Sequence, residues 1–411
     1  MNKYLVFILI ILLARYLVDL AAEWLNVRNM SMHVPDEFKG LYDDDRYRKS
    51  QEYLRDNTRV GIIRDTFHTG IIMVFIVAGG FDLVDRFVRG FGLSSIESGL
   101  MFTGILALSV KIIDLPFSVY DTFFIEEKYG FNRTTSGVFV MDFFKLILMT
   151  AVIGAPVLAV VIWFFEEAGG LAWLYCWVAV ALIQICLMFV APAMIMPLFN
   201  RFEPLEEGEL KKAIEDCARS QDFEIKGIYT MDGSKRTARS NAFFTGFGRF
   251  RRIVLFDTLL EKHTVQELVS IIGHEIGHYT KKHILKGVLR YMLTSGAAFY
   301  LLSLFIGNQA LFLAFKMQNV SVYAGLVFFG FLFEPFAVAT GVIENYISRR
   351  QEHEADKFAV EACGSPEALI SGLKKLSVDN LSNLTPHSFT VFMRHSHPPI
   401  QERIAAIRAM D

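Results

Sequence analysis

Seven stretches of about twenty apolar residues, each long enough to cross a bilayer as a helix, constrain the fold of this chain more than any other feature. They fall near residues 3–24, 66–88, 99–120, 143–165, 171–196, 286–306 and 322–344. A helix of that length bonds all its backbone N–H and C=O groups internally, which an irregular segment in hydrocarbon cannot do. Composition agrees: 53% of the 411 residues are apolar and 38 are Phe, more than a soluble domain of this size can bury. The first stretch also has signal-peptide features, because Lys3 precedes an apolar run from Tyr4 to Ala14 and Ala21–Ala22 offers a small-residue cleavage site. Apolar character resumes beyond Arg15 through Leu25, so the segment is read as a retained helix. The expected architecture is mainly α and polytopic, with the lipid bilayer as its surroundings.

Seven crossings sort the connecting segments into two sets, and Lys and Arg near the helix ends orient them. One set holds the 26–64 loop with Arg28, Lys39, Arg46, Arg48, Lys49, Arg55, Arg59 and Arg64, the 121–142 loop, a long 197–285 insert and the C-terminal tail. The other holds Lys3, Arg86, Arg89, Lys316 and little else. The insert and tail are therefore expected in the cytosol and the N-terminus in the lumen or periplasm. The membrane would be that of the endoplasmic reticulum in a eukaryote and the inner membrane in a bacterium. A net charge of −2 gives no reason to expect a nucleic-acid partner. Nothing calls for a second chain, so a monomer is expected.

This divides the chain into 1–196 with five spans, the 197–285 insert, 286–344 with two spans, and the 345–411 tail. Within the insert, 206–220 reads as an amphipathic helix, and 225–231, 241–246 and 251–256 as short strands, with Gly246 and Gly248 in a turn. The result is a zincin-like α+β unit with a small sheet. Thr264 followed by Glu267 forms a capping box that opens the next helix, and Ser365–Pro366 marks another helix start. Cys176, Cys186, Cys217 and Cys363 form no C-x-x-C pair and read as packing residues; disulfides are neither required nor excluded.

Residues 271–280 read IIGHEIGHYT. On a helix, His274 and His278 project from one face a turn apart and can reach one tetrahedral ion. Glu275, beside them, is placed to take a proton from metal-bound water. Two histidines leave a catalytic zinc one protein ligand short, and a Glu on a later helix is one established way to supply it. The candidate lies in SRRQEHEADKFA, residues 348–359. Glu352 and Asp356 are spaced i, i+4, so Glu352 can face the ion while Asp356 accepts the free ring N–H of a ligand histidine. Glu354 lies about 200° round the helix from Glu352, and His353 is a rival ligand. The two spans between the motifs return the chain to the same side, as one shared site with one Zn2+ requires.

At this point the sequence resembles the type-I CAAX prenyl endopeptidases, also called a-factor-converting enzymes. Besides HEIGH and the ExxAD of Glu352 to Asp356, it has IEEKYGFN (125–132), IMPLFNRFEPLEEGELK (195–211), DGSKR (232–236), SNAFFTGF (240–247), RIVLFDTLL (252–260) and HPPIQER (397–403), in that family's order. The resemblance covers nearly the whole chain. It implies seven helices around an intramembrane, water-filled chamber capped by the zinc domain. It also implies removal of the last three residues of prenylated proteins, after the lipidated Cys. The tail carries no evident retention signal, which leaves the host membrane open.

Lesser candidates follow. His397 and Arg403 match the family's HPxxxER segment and could stabilise an oxyanion or hold a substrate carbonyl, unless the prolines merely punctuate a loop. Asn241 and Ala242 lie on a strand that could hold substrate as an added strand. Lys111 with Asp114, and Glu334 beside Pro335, are polar residues inside spans. The expected function is a zinc endopeptidase acting on a peptide or prenylated protein substrate. The alternatives are a broad quality-control protease for membrane proteins and a non-catalytic zinc-stabilised scaffold.

Overall fold

The computed structural model describes residues 2–221, 223–245, 252–362 and 365–410. Its seven membrane-length helices run over Lys3–Arg28, Asp44–Ala78, Ser95–Tyr129, Ser136–Glu167, Gly169–Leu198, His283–Phe305 and Val322–Ala362. Side chains such as Leu148, Leu182 and Leu293 point outward along them, an arrangement suited to lipid.

Helix α1 (Lys3–Arg28) is capped by Asn2, whose side-chain oxygen accepts from the Tyr4 N–H at 2.8 Å. The second helix differs from the expected 66–88. It starts at Asp44 with Asp43 as its cap and ends at Gly79, whose φ of 81° is the left-handed conformation that glycine adopts without steric cost. A separate short helix, Gly80–Arg89, then carries the basic residues Arg86 and Arg89. We label these α2 (Asp44–Ala78) and α3 (Gly80–Arg89). The third span is α4 (Ser95–Tyr120), which passes Pro116 and continues through a π-helical turn at Asp121–Glu126, so much of the expected 121–142 loop is helical. α5 (Ser136–Glu167) and α6 (Ala172–Val190) complete the first five spans.

The insert forms α7 (Glu209–Ser220) and four strands, β1 (Phe202–Pro204), β2 (Gly227–Met231), β3 (Ala242–Thr245) and β4 (Arg252–Phe256). The sheet order is β1-β2-β4-β3. β2 and β4 pair in parallel, and β3 lies antiparallel to β4 with Ala242 opposite Leu255. β1 is an addition to the expected strands. The expected turn at Gly246 and Gly248 lies outside the described residues. α8 (Val265–Thr280) follows, then the sixth span α9 (His283–Phe305) and the seventh, α10 (Val322–Ala362). α10 does not stop where its apolar stretch ends at about residue 344 but continues as one helix through Glu352 and Asp356. α11 (Pro366–Asp379), α12 (Ser388–Arg394) and α13 (Ile400–Arg408) close the chain.

Separate apolar cores hold these parts in place. One, with Ile8, Phe81, Phe102, Phe315 and Phe328, ties the spans together. Another, with Ile214, Ile253, Leu255, Ile272 and Phe358, packs the sheet and α7 on α8 and α10. A third places Phe38, Tyr42 and Tyr47 against Leu369, Leu373 and Ile404, so the segment after the first span folds onto the C-terminal helices. Arg15, Asp19, His68, Phe117, Glu334 and His395 help to line a cavity of about 810 Å³ among the spans. Within it, Glu334 accepts from Arg15 at 2.8 Å, and the His68 of its wall has Nε2 3.6 Å from Asp114 Oδ1.

Candidate metal centre

The site is built on α8. Its first turn is the expected capping box: the Glu267 N–H is directed at the Thr264 hydroxyl, and the Glu267 carboxylate accepts from the Thr264 N–H at 2.9 Å. That carboxylate also accepts from Ser371 Oγ at 2.6 Å and Lys375 Nζ at 2.8 Å, pinning the helix start to α11. Burial opposes charge on Glu267, but these donors outweigh it and hold the carboxyl below its usual value. Residues Leu268 to Gly277 are buried except Glu275, so α8 is enclosed on nearly all sides. At Gly277 a Cβ would meet the backbone of Ala355 and the Cβ of Phe358 at 3.1 Å. This glycine lets α10 approach closely enough for Glu352 to reach the histidines.

The three candidate ligands converge. His274 Nε2 lies 3.1 Å from His278 Nε2 and 3.5 Å from Glu352 Oε2, and His278 Nε2 lies 3.2 Å from Glu352 Oε1. A tetrahedral ion with bonds of about 2.0–2.2 Å needs donor separations of roughly 3.3–3.6 Å, so sides of 3.1, 3.2 and 3.5 Å come close to that range and a small outward shift of the side chains would admit a divalent metal. Glu352 is 2% exposed, and its Oε2 has no well-formed hydrogen bond from the described residues, although His397 Nδ1 and Arg403 Nη1 approach to 2.9 and 3.3 Å. Burial disfavours a charged His274, yet hydrogen bonds to Asp356 and Glu352 overcome it and lift the imidazole to about 9. Carboxylates thus concentrate negative charge where a cation would sit.

Around this triangle, Asp356 Oδ1 accepts from His274 Nδ1 at 2.8 Å. Arg403 grips Asp356 through Nε at 2.8 Å and Nη2 at 2.6 Å, and is itself buried. The structure therefore commits most of its guanidinium to Asp356. His397 stands on the open side, its side chain 66% exposed. Burial pushes the Glu275 carboxyl up, against the pull of His274 and His278. His353 Nδ1 is buried without a hydrogen bond from the described residues, and His353 is not in the triangle. Asn241 and Ala242 stand at the start of β3, an edge strand, and Asn241 lines a second cavity of about 650 Å³. Both cavities include Leu54 and Asn57 in their walls. Of the cysteines, Cys176 and Cys186 are free thiols and Cys217 is disulfide-bonded; Cys363 lies outside the described residues.

Sequence reasoning missed two features. Arg349 Nη1 donates to the carbonyls of Val391 and His395, and Asn345 Nδ2 to that of Met393, fixing to α10 the segment that leads to His397. His283 Nδ1 lies 3.1 Å from His278 Nδ1, and its Nε2 lies 3.0 Å from Glu354 Oε2. The position of His283, five residues after His278, was the only signal available for the second.

Seven membrane-length helices bearing a convergent His-Glu-x-x-His and Glu cluster define an integral, multi-pass membrane metallopeptidase. Residues 204–411 match the family described as "Peptidase family M48", and residues 23–201 match "CAAX prenyl protease N-terminal, five membrane helices". The chain belongs to the CAAX prenyl protease branch of that metalloendopeptidase family. It is 31% identical to "CAAX prenyl protease 1 homolog" of Homo sapiens, over 95% of this chain and 92% of that one. To "CAAX prenyl protease 1" of Saccharomyces cerevisiae it is also 31% identical, over 91% and 88%. The solved structure titled "Crystal Structure of S. mikatae Ste24p" superposes with a TM-score of 0.94 at 30% identity, covering 99% of both chains.

Proposed function

We propose that this protein is a zinc endopeptidase that removes the C-terminal tripeptide of prenylated CAAX proteins, with its site on the cytosolic face of the membrane. The observation that carries the reading is the triangle of His274, His278 and Glu352 with Glu275 beside it; the full-length similarity to proteins named CAAX prenyl protease supports the substrate. The basic loops on the same side as the insert support the cytosolic orientation. His274, His278 and Glu352 would hold one Zn2+, and the chemistry zinc supplies there is Lewis acidity toward water and the scissile carbonyl.

Glu275 takes a proton from the attacking water and passes it to the leaving amine, a role suited to a carboxyl whose burial raises its proton affinity. Asp356 fixes the orientation of His274, and Arg403 holds Asp356 in place. His397, exposed beside Glu352, faces the side from which substrate arrives and steadies the developing oxyanion. Substrate adds as a strand along the open edge of β3 at Asn241 and Ala242.

The test is turnover of a farnesylated C-terminal peptide and its unprenylated twin by the purified protein, with and without a chelator. Cleavage of the farnesylated peptide alone, abolished by chelation, is expected; equal rates on both would favour general membrane-protein quality control. Glu275→Gln is expected to abolish cleavage and keep zinc, and normal turnover by that variant would overturn the base assignment.

A further inference from the structure

The two histidines of the triangle are supported in different ways. His274 Nδ1 is bonded directly to the buried carboxylate of Asp356. Among the described residues, no carboxylate reaches the corresponding atom of His278. Its Nδ1 instead meets His283 Nδ1 at 3.1 Å, with the rings 76° apart. His283 is itself buried, and its other nitrogen, Nε2, lies 3.0 Å from Glu354 Oε2, which is partly exposed.

Tautomer arithmetic fixes the direction of these bonds. A neutral imidazole that offers Nε2 to a metal carries its proton on Nδ1. His278 must then donate through Nδ1, so His283 Nδ1 must accept. With Nδ1 accepting, the proton of His283 sits on Nε2 and is donated to Glu354. We propose that His283 and Glu354 form a positioning relay that holds His278 in its ligating tautomer and orientation, the counterpart, with an imidazole interposed, of the Asp356 support of His274.

The backbone is shaped to bring this about. α8 ends at Thr280, and the chain turns back through Lys282, a non-glycine residue at φ 59°, before α9 begins at His283. A side-chain-bearing residue in that region costs about 1–2 kcal/mol and persists only where the surroundings determine it. The turn aims the first residue of the sixth span back at the α8 histidine one turn above. Glu354 comes from α10, so the relay joins the sixth and seventh spans to one ligand.

The proposal rests on His278 being a metal ligand, and the experiment separates the two claims. Zinc affinity of the full-length, detergent-solubilised protein is measured by competition with a chelator for wild type, His278→Ala, His283→Leu, His283→Asn and Glu354→Ala. Thermal unfolding at saturating zinc reports folding. His278→Ala should lose zinc; if it binds zinc like wild type, the metal-site reading fails. His283→Leu fills the space but cannot accept, and should weaken zinc binding by about 10–100-fold, the usual effect of removing such a support. In His283→Asn, Oδ1 can stand where Nδ1 stood, and affinity should return to near the wild-type value, which packing alone would not achieve. Glu354→Ala, at a position whose side chain is 47% exposed, should weaken binding by a smaller factor. Should His283→Leu fail to fold, Glu354→Ala and His283→Asn decide alone. Wild-type affinity in Glu354→Ala, or an Asn variant as weak as Leu at unchanged thermal stability, overturns the relay while leaving His278 a ligand.

Discussion

At the residue scale, the centre separates enclosed groups from exposed ones. Glu352 is enclosed and touches both histidines, whereas His397 touches Glu352 from an exposed position. Replacing Glu352 with Ala should therefore strip the metal, which metal analysis of the purified variant would register. His397→Ala should keep the metal and lower kcat by about 10²–10³, the scale of a lost oxyanion donor. A His397 variant that loses metal in parallel with activity would show that it supports Glu352 instead. The histidine pair, the adjacent Glu275 and the i, i+4 pair Glu352 and Asp356 were legible because a helix repeats every 3.6 residues, so spacing alone puts them on shared faces. The partner of Asp356 was not. Nothing in HPPIQER says that Arg403 closes on a carboxylate 47 residues earlier.

At the scale of elements, the close crossing of α8 and α10 depends on Gly277. Replacing it with Val should force the helices apart at Ala355 and Phe358, lowering both metal affinity and thermal stability. A variant with unchanged metal affinity would show that the crossing has slack. The start of α8 offers a pH test. Glu267 is held below the usual carboxylate value by Lys375, Ser371 and Thr264. With the folded pKa depressed, its stabilisation is fully present above the unfolded value near 4.5 and is lost as pH falls through the folded one. Glu267→Gln should thus lower stability at pH 7 by about 1–3 kcal/mol, and its melting curve should converge on wild type as the pH drops below that window. A gap that persists in acid would assign the loss to packing. Capping boxes and N-cap signals are local, so these helix starts were readable in advance. The π-helical turn at Asp121–Glu126 and the continuation of α10 past its apolar stretch were not, because both are set by what the helix meets.

At the scale of the whole molecule, the connecting segments on the catalytic side hold the insert against the spans. Glu126, in IEEKYGFN, accepts from both Tyr53 and Arg239, and Arg236, in DGSKR, pairs with Asp142. Asn200, in the block after the fifth span, donates to Asp232. Residues of these conspicuous segments thus tie the insert to the connecting segments of the spans. A metal held by His274, His278 and Glu352 would bridge α8 to α10, so removing it should loosen this whole side. Chelation should lower the thermal midpoint, and restoring free metal to about a hundred times its Kd should recover about 2.7 kcal/mol. A midpoint indifferent to chelator would mean that the apolar cores alone maintain the assembly.

By itself the sequence determined the number of membrane-length spans, three of the four strands of the insert and the spacing that puts His274 and His278 on one helix face. Each of these depends on a repeat or a spacing within a few residues, or on the length of a bilayer crossing. Only the tertiary structure decided that Arg403 belongs to Asp356, that His283 and Glu354 stand behind His278, and that Arg349 fixes the approach to His397. Apart from His278 and His283, which a turn five residues long brings together, those contacts join residues about 40 to 70 positions apart, and the chain carries no local periodicity that could have paired them before the helices packed.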